Sequence, residues 1–255
     1  MPYSQTAEKI ELKFDRAVVA CLGASITAAK GSFDWIGELA RRPQNARFLF
    51  HNFGVGGDLA YNALQRLPDV IAYHPRRVVV IVGHNDVIAC VSPKVRRIFS
   101  RWKHLPVAPS LDWYRENLRA IARRLQSGTS AQIAFSSLSP IGENLASANP
   151  FQRQLNQRIQ HYSAIVEKVA WEEKVGYIPF YERMRDAIAA SPGRAFTSFR
   201  FLSFYRDAFR HFVLGRPLDE IARVNGWQFH TDGIHLNSRS GLLLADLVQQ
   251  FLNTP

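Results

Sequence analysis

Arg77-Val78-Val79-Val80-Ile81-Val82-Gly83-His84-Asn85-Asp86 is the stretch that decides the fold. Five β-branched residues in a row cannot form a strand with one wet face, because such a strand alternates apolar and polar side chains. An unbroken run of this length is the pattern of a strand buried on both faces. It falls far short of the ~18 apolar residues that a membrane helix needs. Working outward, similar short runs rich in Val, Ile and Phe lie at 17–22, 47–53, 132–136 and 175–178. Helical periodicity fills the spaces between them, at 33–42, 59–73, 111–126, 151–174 and 181–190, with a last helix at 238–252. Strand alternating with helix predicts an α/β chain whose parallel sheet carries helices on both faces. In such sheets ligands bind beyond the carboxyl ends of the strands, so chemistry is sought just after each strand.

The composition fits this class. Of 255 residues, 47% are hydrophobic and 21% charged, which excludes a disordered chain. No Pro-, Gly- or Ser-rich linker divides the chain, so a single domain over 1–255 is expected. Two stretches, 92–110 and 191–227, exceed the simple alternation and are predicted to be insertions at the rim of a site. The two cysteines, Cys21 and Cys90, are too few for a disulfide framework, and Cys21 sits in an apolar run as a small hydrophobe. The first sixteen residues carry six charges and no apolar segment, unlike a secretory signal. A cytoplasmic location is therefore expected. The net charge of +11 favours anionic partners without naming any chemistry.

Four strand ends carry polar groups suited to acyl transfer. They are Gly23-Ala24-Ser25-Ile26-Thr27, Asn52-Phe53-Gly54-Val55-Gly56-Gly57-Asp58, Gly83-His84-Asn85-Asp86 and, near the C-terminus, Thr231-Asp232-Gly233-Ile234-His235. A Ser at a strand-to-helix turn is ordinarily a cap. As a nucleophile it needs a base, for which His235 is the candidate, with Asp232 three residues earlier to hold the imidazole tautomer. A developing oxyanion needs preformed donors. Candidates are the backbone N–H groups of Gly57 and Ser25 and the side-chain amide of Asn85. Taken singly, each has an ordinary structural role: the glycines in tight turns, Asn85 in an Asx turn, and Asp-x-x-His in a surface turn.

Taken together and in this order, the blocks resemble the SGNH hydrolases, also called the GDSL esterase/lipase family. Gly23-Ala24-Ser25-Ile26 stands for the family's first block, Gly57-Asp58 for the second, Gly83-His84-Asn85-Asp86 for Gly-x-Asn-Asp, and Asp232-Gly233-Ile234-His235 for Asp-x-x-His. The resemblance implies a flavodoxin-like three-layer α/β/α sandwich with five parallel strands. It also implies Ser25 as nucleophile, His235 as base, Asp232 as its orienter, and Ser25, Gly57 and Asn85 as oxyanion donors. No cofactor and no metal are expected. The implied reaction is cleavage of a carboxylic ester, from a small molecule or a lipid, through an acyl-enzyme. A thioesterase or an acyltransferase would use the same machinery. Two departures stand out. Ala24 replaces the block's usual Asp, which questions how the loop is anchored, and His84 occupies a position where a small or hydroxyl residue is common, as a candidate pocket residue.

Rival readings explain less. Gly54-Val55-Gly56 lacks the third glycine of a dinucleotide fingerprint. Ser25 lies on the first strand, without the G-x-S-x-G elbow of an α/β-hydrolase. The eight histidines are scattered and contain no H-E-x-x-H. A nucleic-acid-binding module would use the charge and the Arg–Phe mixture at 196–212, yet leaves the four strand ends unexplained. Within 201–213, Phe204, Ala208, Phe209, Phe212 and Val213 recur at three- and four-residue steps, predicting a helix with one apolar face. That face is expected either to pack on the body or to form an acyl-binding wall, with Phe204 and Phe209 in the pocket, able to rest on an anionic membrane surface.

Overall fold

A computed structural model describes residues 16–198 and 201–255 of the protein, with side chains from Arg206 onward in the helix that begins at Phe201. Its centre is a sheet of five parallel strands: β1 (Ala17–Gly23), β2 (Phe48–Gly54), β3 (Arg77–Ile81), β4 (Gln132–Ser136) and β5 (Gly176–Ile178). Their order across the sheet is β2-β1-β3-β4-β5. The chain therefore turns left from β1 to β2 and right from β1 to β3. The crevice where this reversal occurs, beyond the ends of β1 and β3, is where open α/β sheets hold ligands.

Helices α1 (Ser25–Ala28), α2 (Trp35–Arg41), α3 (Ala60–Gln65) and α4 (Leu67–Ile71) come before β3. Between β3 and β4 lie α5 (His84–Val91), α6 (Pro93–Trp102) and α7 (Leu111–Gly128). The rest are α8 (Pro150–Glu172), α9 (Phe180–Ala190), α10 (Phe201–Phe212), α11 (Leu218–Asn225) and α12 (Ser238–Leu252). No helix among the described residues is long and apolar enough to cross a membrane.

The inner strands β1, β3 and β4 alternate their side chains between two buried layers, as double-sided burial requires, whereas the edge strand β2 buries only Phe48 fully. From β1 and β3, Ala20, Leu22, Val78 and Val80 join α3, α4, α5, α7 and α8 on one face. Val19, Cys21, Val79 and Ile81 join α2, α9 and α12 on the other. Cys21 is wholly buried there, as expected of a small hydrophobe, and burial pushes its thiol pKa far up. This is the three-layer α/β/α sandwich.

Two expectations need correction. The helix expected over 59–73 is broken in two. Pro68 sits in the first turn of α4, where its missing N–H costs nothing, whereas inside a continuous helix it would have lost a bond to the preceding turn. The segment at 201–213 is helical, but its described part does not turn an apolar stripe inward. Asp207 is buried instead, accepting from Asn225 Nδ2 at 2.8 Å and from Arg210 at 3.2 Å, while Phe209, Phe212 and Val213 are exposed. A buried carboxylate needs partners, and this polar anchor outweighs the hydrophobic period.

Candidate active site

The turn after β1 is built by close approach. A Cβ on Gly23 would fall 2.1 Å from Thr27 Oγ1 and 2.4 Å from the Ile81 carbonyl, so only glycine lets β1 pass β3 and turn sharply into α1. Ser25 is the first residue of that helix. Ala24 precedes it and supplies no capping side chain. The anchoring that an Asp there would have offered comes from Arg66. Its guanidinium donates to the carbonyls of Gly23 (3.2 Å) and Phe53 (2.9 Å) and to Asp58 Oδ2 (2.8 Å), tying together the ends of β1 and β2. Asp58 is buried and is held from its other side by Lys103 at 2.9 Å.

Gly57 has φ +79°, a conformation that costs a residue with a Cβ, and the six-membered ring of Trp102 lies directly on it. Asn85, buried at the start of α5, donates one Nδ2 hydrogen to the Asp58 carbonyl at 2.8 Å. The amide nitrogen carries a second hydrogen. The neighbouring Asp86 points away from this chemistry. It accepts from the Ala60 N–H at 3.1 Å and so fixes the start of α3, and burial pushes its carboxyl up to about 8.

The turn after β5's distal elements, 231–235, folds on its own acid. Asp232 Oδ1 accepts the backbone N–H groups of Ile234 and His235, each at 2.9 Å, and Oδ2 accepts Nδ1–H of His235 at 2.6 Å. The neutral ring is thus held in the tautomer whose lone pair is on Nε2. Burial alone would lower the pKa of His235. The charge of Asp232 and the hydrogen bond to it outweigh burial, and the imidazole sits above its ordinary value. Burial would likewise raise Asp232, but His235 and the two N–H groups hold its carboxyl below the usual range.

A second acid braces this turn. Glu143, wholly buried after β4, accepts from the N–H of Gln228 (2.8 Å), Phe229 (2.7 Å) and His230 (2.8 Å), and from His230 Nδ1 (2.9 Å). His230 Nε2 meets the Pro140 carbonyl at 3.0 Å, and Gly142 N–H donates to the Gly233 carbonyl at 2.7 Å. Each ring nitrogen of His230 thus has an oxygen partner within hydrogen-bond distance. Burial would raise Glu143, yet His230 and the N–H groups hold it below its ordinary value.

These turns meet in one cavity of about 320 Å³, walled by Ser25, Gly56, Gly57, His84, Asn85 and His235 together with Ile88, Phe99, Trp102 and Ile234. The structure therefore gathers Ser25, Gly57, Asn85 and His235 from four separate parts of the chain, with Asp232 bonded to the last. His84 lines the same cavity and is buried. Its Nε2 lies 3.1 Å from the Ser139 carbonyl, to which it donates, and burial pulls its pKa down to about 4, so it stays neutral. A second cavity of about 230 Å³ lies beyond His235, walled by Lys30, Asp207, His211, Phe212, Ile221 and Asp232 among others. Phe209 is 54% exposed, and the walls of both cavities are made by other residues, which corrects its expected place in the pocket. The side chain of Phe204 lies outside the described residues.

Sequence reading missed Arg66, Lys103, Trp102 and the Glu143–His230 brace. Arg66 sits in the turn between α3 and α4 and Lys103 just after α6, away from strand ends, and nothing in their spacing marks them. Glu143 was findable: Pro140-Ile141-Gly142-Glu143 follows β4, on the same edge as the other blocks.

Comparison with known proteins agrees with this architecture. A search of curated proteins finds no match. Among solved structures, an acetyl xylan esterase superposes with a TM-score of 0.60 at 20% identity, covering 92% of this chain and 99% of that one. An acetylxylan esterase from Geobacillus stearothermophilus gives 0.62 at 16% identity, covering 94% and 95%. An alpha/beta hydrolase enzyme from the metagenome of Lake Arreo, Spain, gives 0.62 at 17% identity, covering 93% and 96%. At these identities the likeness establishes the fold. Residues 21–201 match the model of the GDSL-like Lipase/Acylhydrolase family, a stretch that holds Ser25, Gly57 and Asn85 and ends before Asp232 and His235. With that match over most of its length and the fold to go with it, the chain belongs to the GDSL-like lipase/acylhydrolase family of ester hydrolases.

Proposed function

We propose that the protein hydrolyses carboxylic esters through an acyl-enzyme on Ser25. Ser25 Oγ attacks the ester carbonyl carbon while His235 Nε2 takes its proton. Negative charge gathers on the carbonyl oxygen, where the N–H groups of Ser25 and Gly57 and the second Nδ2 hydrogen of Asn85 are available to receive it. The C–O bond then breaks, and imidazolium His235 gives its proton to the departing alkoxide. Water attacks the acyl-enzyme by the same route in reverse, His235 again accepting and returning a proton, and the carboxylic acid leaves Ser25 restored. Asp232 holds the ring and stabilises its charged form throughout. His84, neutral and tied to Ser139, shapes the cavity without taking part in proton transfer.

The single observation that supports this reading best is the meeting of Ser25, Gly57, Asn85 and His235 in one cavity, at the crevice where the strand order reverses. Acetyl esters are the first substrates to try, because two fold neighbours act, by their names, on acetylated xylan. The test is initial rates on 4-nitrophenyl esters from acetate to palmitate and on an acetyl thioester, with Ser25→Ala beside the parent. Loss of nearly all turnover in Ser25→Ala, with an unchanged melting curve, is expected. Turnover retained by that variant would overturn the mechanism. Turnover only when an alcohol acceptor is added would make the protein an acyltransferase on the same residues.

A further inference from the structure

From Asp86 to Asp112 the chain carries no acidic residue between those two, yet it holds Lys94, Arg96, Arg97, Arg101 and Lys103. Lys103 is committed to Asp58. The other four lie on α6, and none of them pairs with a carboxylate among the described residues. Helix geometry sorts them. Val95 and Phe99 are buried and hold α6 to the body, whereas Lys94, Arg97, Ile98 and Arg101, at steps of three and four, form an outer face, all exposed. Ile98 is 39% exposed and Trp102, one turn further, 57%. Val55, in the turn before Gly56, and Val107, in the loop after α6, are exposed as well. Trp102 both lines the cavity and lies on Gly57.

We propose that α6 docks the protein on an anionic lipid surface, with Ile98 and Trp102 entering the headgroup layer and Lys94, Arg97 and Arg101 pairing with lipid phosphates. Charge complementarity selects the anionic partner. The interleaved apolar side chains select a lipid over a dissolved polyanion, which would pair with the cations and leave Ile98 and Val107 in water. The exposed apolar end of α10 is a poorer candidate, since Arg206, Arg210 and Arg216 are already paired with Asp207 and Glu220. On the reading of the cavity as an ester hydrolase site, docking through α6 turns its mouth to the lipid and makes lipid esters a substrate class.

The test is co-sedimentation of the full chain with phosphatidylcholine vesicles, with and without a one-third share of phosphatidylglycerol, at low and high salt. The parent is expected to bind only the anionic vesicles and to be released by salt. Lys94→Glu with Arg97→Glu and Arg101→Glu should weaken that binding by about 100-fold or more, at roughly fivefold or more per charge, and leave hydrolysis of a soluble acetyl ester unchanged. Ile98→Ser should weaken it without changing its salt dependence. Ser25→Ala should bind as the parent does, which separates failure of docking from failure of the hydrolase reading. Equal binding to neutral vesicles, or full binding by the triple variant, would overturn the proposal. So would binding to dextran sulfate as tight as to vesicles and indifferent to Ile98→Ser.

Discussion

At the scale of single residues, the site joins a local pair, Asp232 and His235, to supports that reach it from far along the chain. Ser25, Gly57, Asn85 and the Asp232–His235 step were legible because their types, order and positions at strand ends go together. Their supports were not, because Arg66 reaches the Gly23 carbonyl across 43 positions and Glu143 reaches His230 across 87. Since the pKa of His235 is raised by Asp232, the base is neutral only above the ordinary imidazole value of about 6.5. Activity should therefore climb with pH along a limb whose midpoint exceeds that value. In Asp232→Asn the limb should move down, with kcat falling by up to roughly 10⁴-fold. A pH–rate profile of kcat/KM checks both, and a limb that stays put in the Asn variant would mean another group sets the imidazole. His84, held neutral, should add no second imidazole limb. Asn85→Ala should lower kcat by about 10²–10³-fold with little change in KM, because the lost hydrogen bond acts on charge that exists only in the transition state. Steady-state kinetics that showed a change confined to KM would assign Asn85 to ground-state binding.

At the scale of elements, the strands were legible to within a residue or two, because double-sided burial of the inner strands leaves an unbroken apolar run and the edge strand β2 still carries three Phe and a Leu. The helices were legible wherever an apolar stripe met the sheet. The exceptions have physical causes: a proline that starts α4 afresh, and, in the described part of α10, a buried Asp207 with Phe209 and Phe212 left exposed. Replacing Phe209 by Ser should therefore leave the melting temperature nearly unchanged. Asp207→Ala should strip Asn225 and Arg210 of their partner and speed proteolysis within 206–216, read by mass spectrometry of the fragments. The reverse ranking would restore the apolar-stripe view of this helix. The turn that carries Asp232 and His235 depends on Glu143 in the same way. Glu143→Ala leaves three backbone N–H groups and the ring of His230 buried without their acceptor, at a cost of about 3–5 kcal/mol, or roughly 10 °C at ~2–4 °C per kcal/mol. Because the folded pKa of Glu143 is lowered, its contribution is fully present above the ordinary value of 4.5 and drains away as pH falls through the lowered one. Thermal melts of parent and variant should then differ widely at neutral pH and converge in acid. A constant gap down to strongly acidic pH would show that the carboxylate's charge is not what braces the turn.

At the scale of the whole molecule, the strand order β2-β1-β3-β4-β5 explains why residues far apart in sequence share one cavity. Reversal of direction at β1 opens a crevice between the ends of β1 and β3, so the first turn brings Ser25 and the third brings Asn85 to its two lips. The turn after β2 closes one side with Gly57, and the long C-terminal return closes the other with His235. The alternation of strand and helix in the sequence implied such a crevice, and the four blocks located it. Helices α6 and α10, which border the two cavities, carry patterns that speak of a helix without saying which way it faces, and only the packed structure distinguishes them. The account as a whole rests on Ser25 being the activated nucleophile of this crevice. Labelling the protein with a fluorophosphonate and mapping the adduct by peptide mass spectrometry tests that most directly. A single adduct on Ser25, abolished by His235→Ala and by Ser25→Ala, is the expected result. An adduct on any other serine, or none on a folded and active protein, would contradict it.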